Sequence, residues 1–168
     1  MLLYEVTDSL EKAHVKYAIA GGYALALHGI VRATMDVDLI ISLSKEGLES
    51  AEKALKTIGL QSRLPIRAID VFTMREEYVK KRNLLAWSFV DYNDPTRQVD
   101  ILIFRDFAEV KVEKISVAGR KISVLAADDL LKMKMVAARP QDLVDAENLK
   151  RLTATKALHA RGARKKGK

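Results

Sequence analysis

The sequence predicts an α/β (α+β) fold, and three observations carry that prediction. Apolar residues recur at helical spacing near both ends and in the middle of the chain, the pattern of helices that pack one face on a core. Elsewhere β-rich apolar runs come in pairs around turn sequences, as hairpins do. Between these, Ala20 to Ile41 (AGGYALALHGIVRATMDVDLII) joins a glycine pair to two alternate aspartates through a short helix-like segment.

Taken in order, Leu2, Leu3, Val6, Leu10 and Ala13 predict an opening amphipathic helix over 2–14, ended by His14. A strand over 16–20, the Gly21-Gly22 turn, a helix over 23–28 and a strand over 36–42 follow. Ser44 caps a helix over 45–58 with Leu48, Ala51, Leu55 and Ile58 inward, and Gly59 stops it. Leu60 to Arg63 reads as a short strand, and Ile66 to Arg82 as a helix with a basic end. Leu85 to Tyr92 and Gln98 to Phe104 form a hairpin around Asn93-Asp94-Pro95-Thr96. Strands over 112–118 and 120–125 flank Gly119-Arg120, at or beyond the sheet edge. From Ala126 the pattern is helical, with Asp128 and Asp129 at the positive end and Leu130, Leu131, Met135, Ala137 and Ala138 as the apolar face; Pro140 starts another helix.

At 168 residues and 49% hydrophobic content the chain suits one domain with a sizeable core. No apolar run is long enough to span a bilayer, and the N-terminus turns acidic too early for a secretory signal, so a cytoplasmic location without membrane partners is expected. The absence of cysteine excludes disulfides, thiolate metal sites and a cysteine nucleophile. The net charge of +7 is concentrated at one end: eight of the 29 Lys and Arg residues lie in 150–168 with no acid, leaving 21 against 22 acidic residues before them. Residues 1–153 are expected as the domain and 154–168 as a flexible basic tail, more often plainly solvated than suited to RNA or a membrane surface.

The chemistry lies in the acids. On a strand, Asp36 and Asp38 share a face about 6–7 Å apart, and two like charges on an apolar strand lose hydration and repel unless a cation joins them. Carboxylate oxygens are the ligands Mg²⁺ prefers, together with substrate phosphates. Gly21 and Gly22, at a strand-to-helix turn, suit the phosphate side. In Gln98-Val-Asp-Ile-Leu-Ile-Phe104 a further aspartate, Asp100, interrupts an apolar strand and needs a cation. Asp91 is its rival, but beside a turn a solvated aspartate needs no special explanation. Lys134 and Lys132 point differently on their helix, and one of them is expected to face the site. His28 reads as a packed or surface histidine, and Arg32 and Thr34 have plain readings as an ion-pair and a strand-entry residue.

The run GG(x)₁₃DxD, in the form GGYALALHGIVRATMDVDL, resembles the fingerprint of the polymerase-beta-like nucleotidyltransferase superfamily, and within it the small branch that holds antibiotic nucleotidyltransferases and abortive-infection toxins. DLLKMKMVAARPQDLVDAENL is similar to the C-terminal part of that branch. The resemblance implies a mixed, largely antiparallel sheet with packed helices and a short helical C-terminal extension. It implies transfer of a nucleoside monophosphate from an NTP to a hydroxyl acceptor. Two Mg²⁺ ions, with Mn²⁺ as a substitute, would be held by Asp36, Asp38 and Asp100, while Gly21, Gly22, Arg32, Thr34 and Lys134 would lie along the nucleotide, and Arg139 with Asp142 or Asp145 would tie the last helices together. Superfamily members often carry serine where Gly22 stands, its hydroxyl assisting phosphate binding, and Gly22 lacks it. The sparse aromatic content, 6%, speaks for an open groove and an RNA 3′ end as acceptor rather than an enclosed antibiotic pocket. A cognate antitoxin is the protein partner the resemblance implies. A nucleotide- or RNA-binding module without turnover and a small-molecule nucleotidyltransferase are the alternatives.

Overall fold

The computed structural model describes the backbone of residues 1–165 and the side-chain surroundings of residues 1–158. Its elements are α1 (Leu2–Lys12), β1 (Tyr17–Ile19), α2 (Gly21–Leu27), β2 (Val37–Ile41), α3 (Lys45–Thr57), β3 (Gln61–Ser62), α4 (Ala68–Arg82), β4 (Ala86–Val90), β5 (Gln98–Leu102), β6 (Val112–Val117), β7 (Arg120–Leu125), α5 (Ala127–Ala137) and α6 (Pro140–Lys165), with a short 3₁₀ turn over Phe107–Glu109. The strands form one mixed sheet of seven in the order β3-β4-β5-β2-β1-β7-β6. Four pairs are antiparallel, and β2 with β5 and β1 with β7 are parallel.

The central strands β1, β2 and β5 are covered on both faces. Ile19, Leu39, Ile40, Ile41, Val99 and Ile101 are fully buried, and α1 and α3 close one side with Leu3, Leu10, Leu48 and Leu55. Ser44 caps α3 as expected, accepting from the Gly47 amide at 3.0 Å. The β4–β5 hairpin carries Trp87 and Phe89, wholly buried with ring centroids 4.6 Å apart and planes tilted by 58°, and the indole N–H donates to Ser62 Oγ at 2.9 Å.

The strand pair 112–125 stands at one edge of the sheet, as expected: β7 joins β1 in parallel, and β6 is the outermost strand on that side. Two readings of the sequence change. On α5 the buried stripe is Ala127, Leu130 and Lys134, while Met135 and Val136 are exposed. A lysine takes the inward position because carboxylates of α6 meet it there. Finally, α6 passes residue 153 without a break and stays helical to Lys165, so the expected tail 154–168 begins as a continuation of that helix; residues 166–168 lie outside the described residues.

Candidate active site

The glycine turn forms where β1 gives way to α2. Gly21 has φ +57°, a conformation side chains disfavour, and a Cβ there would sit 1.7 Å from Asp38 Oδ2. Glycine is therefore required twice over, and its absent side chain lets the turn close onto the Asp38 carboxylate. Gly22 has no such backbone constraint; its side-chain space is filled by Thr34, whose Oγ1 lies 2.7 Å from the Cβ that Gly22 lacks.

Asp36 stands one residue before β2 rather than within it, and is exposed. Asp38 lies inside the strand and is register-paired with Asp100 of β5 across the parallel ladder. Residues paired in register point to the same face of a sheet, so these two carboxylates are neighbours. Gln98 donates its amide to both Asp100 oxygens, at 3.2 and 3.1 Å, and so orients that carboxylate. Burial, then the charges of Asp100 and Asp36, push Asp38 up to about 6, against a smaller opposing pull from Lys134 and Arg139. Burial, then Asp100, also raises Asp36, with Arg63 opposing. Among the described residues none of the three acids has an ion-pair partner.

Across the cleft, α5 and α6 meet at Ala138, whose φ of +50° makes the corner. Lys134 Nζ lies 2.9 Å from Asp142 Oδ1 and 3.0 Å from Asp145 Oδ2, and all three residues are buried. Arg139 Nε adds a contact of 2.6 Å to Asp142, and Arg32 Nε reaches Asp145 at 3.6 Å from the loop before β2. Burial alone would raise Asp142, yet hydrogen bonds from Arg139 and Lys134 outweigh it and hold the carboxyl down at about 2.

Gly21, Gly22, Arg32, Thr34, Asp36, Asp38, Asp100 and Lys134, all named from the sequence, line one cleft of about 530 Å³. The sequence reading missed its apolar wall, Leu85, Leu102, Phe104, Leu130, Met133 and Ala137, which comes from three separate elements and carries no motif. Asp91 does not line the cleft; it accepts from the Asn93 amide at 2.9 Å and pairs with Arg97 at 3.3 Å, as a turn residue should. His28 is buried, with Nε2 on the Leu125 carbonyl at 2.8 Å, and Lys132 points away to Asp129.

Among the described residues no three acidic or imidazole side chains already converge as a closed metal cage. The donors are nonetheless of the right chemistry for Mg²⁺, which takes a few carboxylate oxygens and completes its shell with water and substrate phosphates. Asp36 and Asp38, both raised by burial and by the Asp100 charge, with no cation in ion-pair contact among the described residues, fit such an open site.

Solved structures with the same fold include the antibiotic-resistance factor ANT(2″)-Ia in solution, at 14% identity and TM-score 0.60, covering 99% of this chain and 94% of that one. The lincosamide antibiotic adenylyltransferase LnuA with lincomycin bound is 15% identical, at TM-score 0.58, over 90% of this chain and 96% of that one. An antigenic nucleotidyltransferase-like protein from Paracoccidioides brasiliensis, 15% identical at TM-score 0.55, covers 88% of this chain and 72% of its own. No curated protein matches the chain in sequence. The family model described as "Nucleotidyl transferase AbiEii toxin, Type IV TA system" matches residues 2–167, and the chain belongs to that family of nucleotidyltransferases.

Proposed function

We propose that this protein moves a nucleoside monophosphate from an NTP to the hydroxyl at an RNA 3′ end, in a Mg²⁺-dependent reaction. The observation that carries the reading is the register pair Asp38 and Asp100, with Asp36 beside it, uncompensated by any cation in contact among the described residues. Asp36 and Asp38 would hold two Mg²⁺ ions, or Mn²⁺ in their place, with Asp100 completing the set; bound there, the ions neutralise charge developing on the triphosphate and the attacking oxygen. The acceptor oxygen bonds to the α-phosphorus, the bond from that phosphorus to the departing pyrophosphate breaks, and the acceptor proton passes to a carboxylate oxygen of Asp100. Gln98 keeps that carboxylate oriented. The Gly21–Gly22 turn, Arg32, Thr34 and Lys134 line the side we assign to the triphosphate.

Charge in the cleft supports a macromolecular acceptor. A cationic antibiotic needs free carboxylates, yet beyond the three aspartates the cleft's remaining acid is Asp142, already held by Lys134 and Arg139. Arg63, exposed, acts on Asp36, and the exposed side chain of Arg139, paired with Asp142, lines the cleft; both are cations that suit a phosphate backbone. Lys80 and Arg82, at the basic end of α4, are neutralised by Glu76 and Glu77 and do not line the cleft. An enzyme that modifies RNA ends would act in the cytoplasm as the toxic half of a pair, with a cognate antitoxin protein as its partner. No helix among the described residues is long and apolar enough to cross a membrane.

The test offers α-labelled NTPs with Mg²⁺, or with EDTA, to the purified protein alongside total RNA, a protein extract, and aminoglycosides and lincosamides. Label on RNA ends that needs Mg²⁺ is the expected result. Label confined to the small molecules would sink the RNA acceptor, and NTP binding without pyrophosphate release would make the protein a binding module.

A further inference from the structure

We propose that Thr34 supplies, from the loop before β2, a phosphate-binding hydroxyl on the surface of the Gly22 turn, and that Gly22 is glycine because Thr34 occupies its side-chain space; this rests on the nucleotidyltransferase reading above. Gly22 does not need its residue type for conformation, since its φ lies outside the left-handed range. A Cβ at Gly22 would lie 2.6 Å from Thr34 Cβ, 2.7 Å from Oγ1 and 2.9 Å from Cγ2, so any side chain there must displace Thr34. Thr34 is half-buried and lines the cleft with Asp36 and Asp38.

Among the described residues its hydroxyl makes one long hydrogen bond, donating to the Asp36 carbonyl at 3.4 Å. That contact is weak, and a phosphate oxygen is the stronger acceptor for the same proton. The β-branched side chain has few χ1 choices. With the side chain wedged against the Gly22 backbone, Oγ1 is held at the glycine turn rather than swinging free. Positions 22 and 34 thus share one volume and one hydroxyl, and the hydroxyl can be delivered from either.

Exchange variants test this, read by calorimetric binding of inorganic tripolyphosphate and of each NTP, by KM and kcat for transfer, and by Tm. Thr34→Val keeps the volume and removes the hydroxyl: triphosphate affinity is expected to fall, and KM to rise, on the order of tenfold with Tm unchanged, and Thr34→Ser should restore both. Gly22→Ser alone should lose binding and Tm through the clash. Because Thr34 Cβ itself blocks position 22, the hydroxyl is moved across in Gly22→Ser/Thr34→Gly, expected to bind the triphosphate more tightly than Thr34→Gly. Wild-type binding matched by Thr34→Val overturns the inference alone. If Thr34→Val loses Tm, the exchange pair decides, and a double variant no better than Thr34→Gly overturns it. A wild-type protein that neither binds triphosphate nor transfers label overturns the functional reading as well.

Discussion

Asp142 on α6 has the Lys134 ammonium at 2.9 Å and the Arg139 guanidinium at 2.6 Å, and its carboxyl is held down at about 2. Asp38 on β2 faces Asp100 across a parallel strand pair, has no cation in ion-pair contact among the described residues, and is pushed up to about 6. The two acids line the same cleft. Paired charges of the first kind hold structure together, because removing one partner leaves the other buried alone. Unpaired charges of the second kind cost the fold something and are retained at sites that bind a cation or do proton chemistry. The contrast separates the side that fixes the cleft's shape from the side that does its chemistry.

The sharpest way to break the comparison is to neutralise each member of the unpaired set. Asp36→Asn, Asp38→Asn and Asp100→Asn should each lower Mg²⁺-dependent transfer by at least about a thousandfold, roughly 4 kcal/mol of transition-state stabilisation. Each should leave the metal-free Tm equal or slightly higher, since a repulsive charge is gone. Full activity in any one of them would remove that residue from the set.

Lys134→Met is the matching cut on the paired side. Among the described residues it leaves buried Asp142 with Arg139 as its one ion-pair partner and buried Asp145 with Arg32, at 3.6 Å, and should cost about 3 kcal/mol of stability by denaturant titration. Adding Asp142→Asn and Asp145→Asn should recover part of that loss. If Lys134→Met unfolds no more easily than wild type, the α5–α6 cluster is not what holds the corner.

The same contrast makes opposite pH predictions. Asp38 has a folded-state pKa above the unfolded value near 4, so between about pH 4 and 6 the metal-free folded protein binds more protons than the unfolded chain, and stability falls as pH rises through that window. Asp142 is depressed, so its contribution is full above about pH 4 and disappears as pH falls toward 2. Stability from denaturant titration should therefore peak near pH 4, about 2 kcal/mol above the value at pH 7. Asp38→Asn should flatten the limb above the peak and leave the acid limb alone.

What was legible in the sequence follows from the range of the forces involved. Carboxylates on apolar strands announce themselves within five residues, so Asp38 and Asp100 were readable together with the strands that carry them, and Asp36 as the acid beside Asp38, though it stands just before its strand. The helix caps and the β4–β5 turn were readable for the same reason. Lys134 was harder: its partners lie on the next helix, and only the folded corner at Ala138 brings Asp142 and Asp145 onto it, which is why Met135 was taken for an inward residue. The contact of Thr34 with Gly22 was illegible, because it depends on how the irregular stretch between α2 and β2 folds back.

The smallest expected effect concerns the end of α6. Leu149 is fully buried and Leu152 packs on the core, so the helix is anchored up to that point. From Ala154 to Leu158 every residue is exposed, which leaves little apolar area to lose. Truncation after Thr155 removes six basic residues, Lys156, Arg161, Arg164, Lys165, Lys166 and Lys168, and no acidic one. Stability should change by less than about 0.5 kcal/mol, within the usual range for surface changes. RNA binding, by contrast, should weaken, and the slope of log affinity against log salt should become shallower, because fewer phosphate counterions are released. A stability loss well beyond that range would mean that the helix end packs on the domain. An unchanged salt slope would mean that RNA is held by Arg63, Arg139 and the cleft alone, with the basic end of α6 serving something other than RNA.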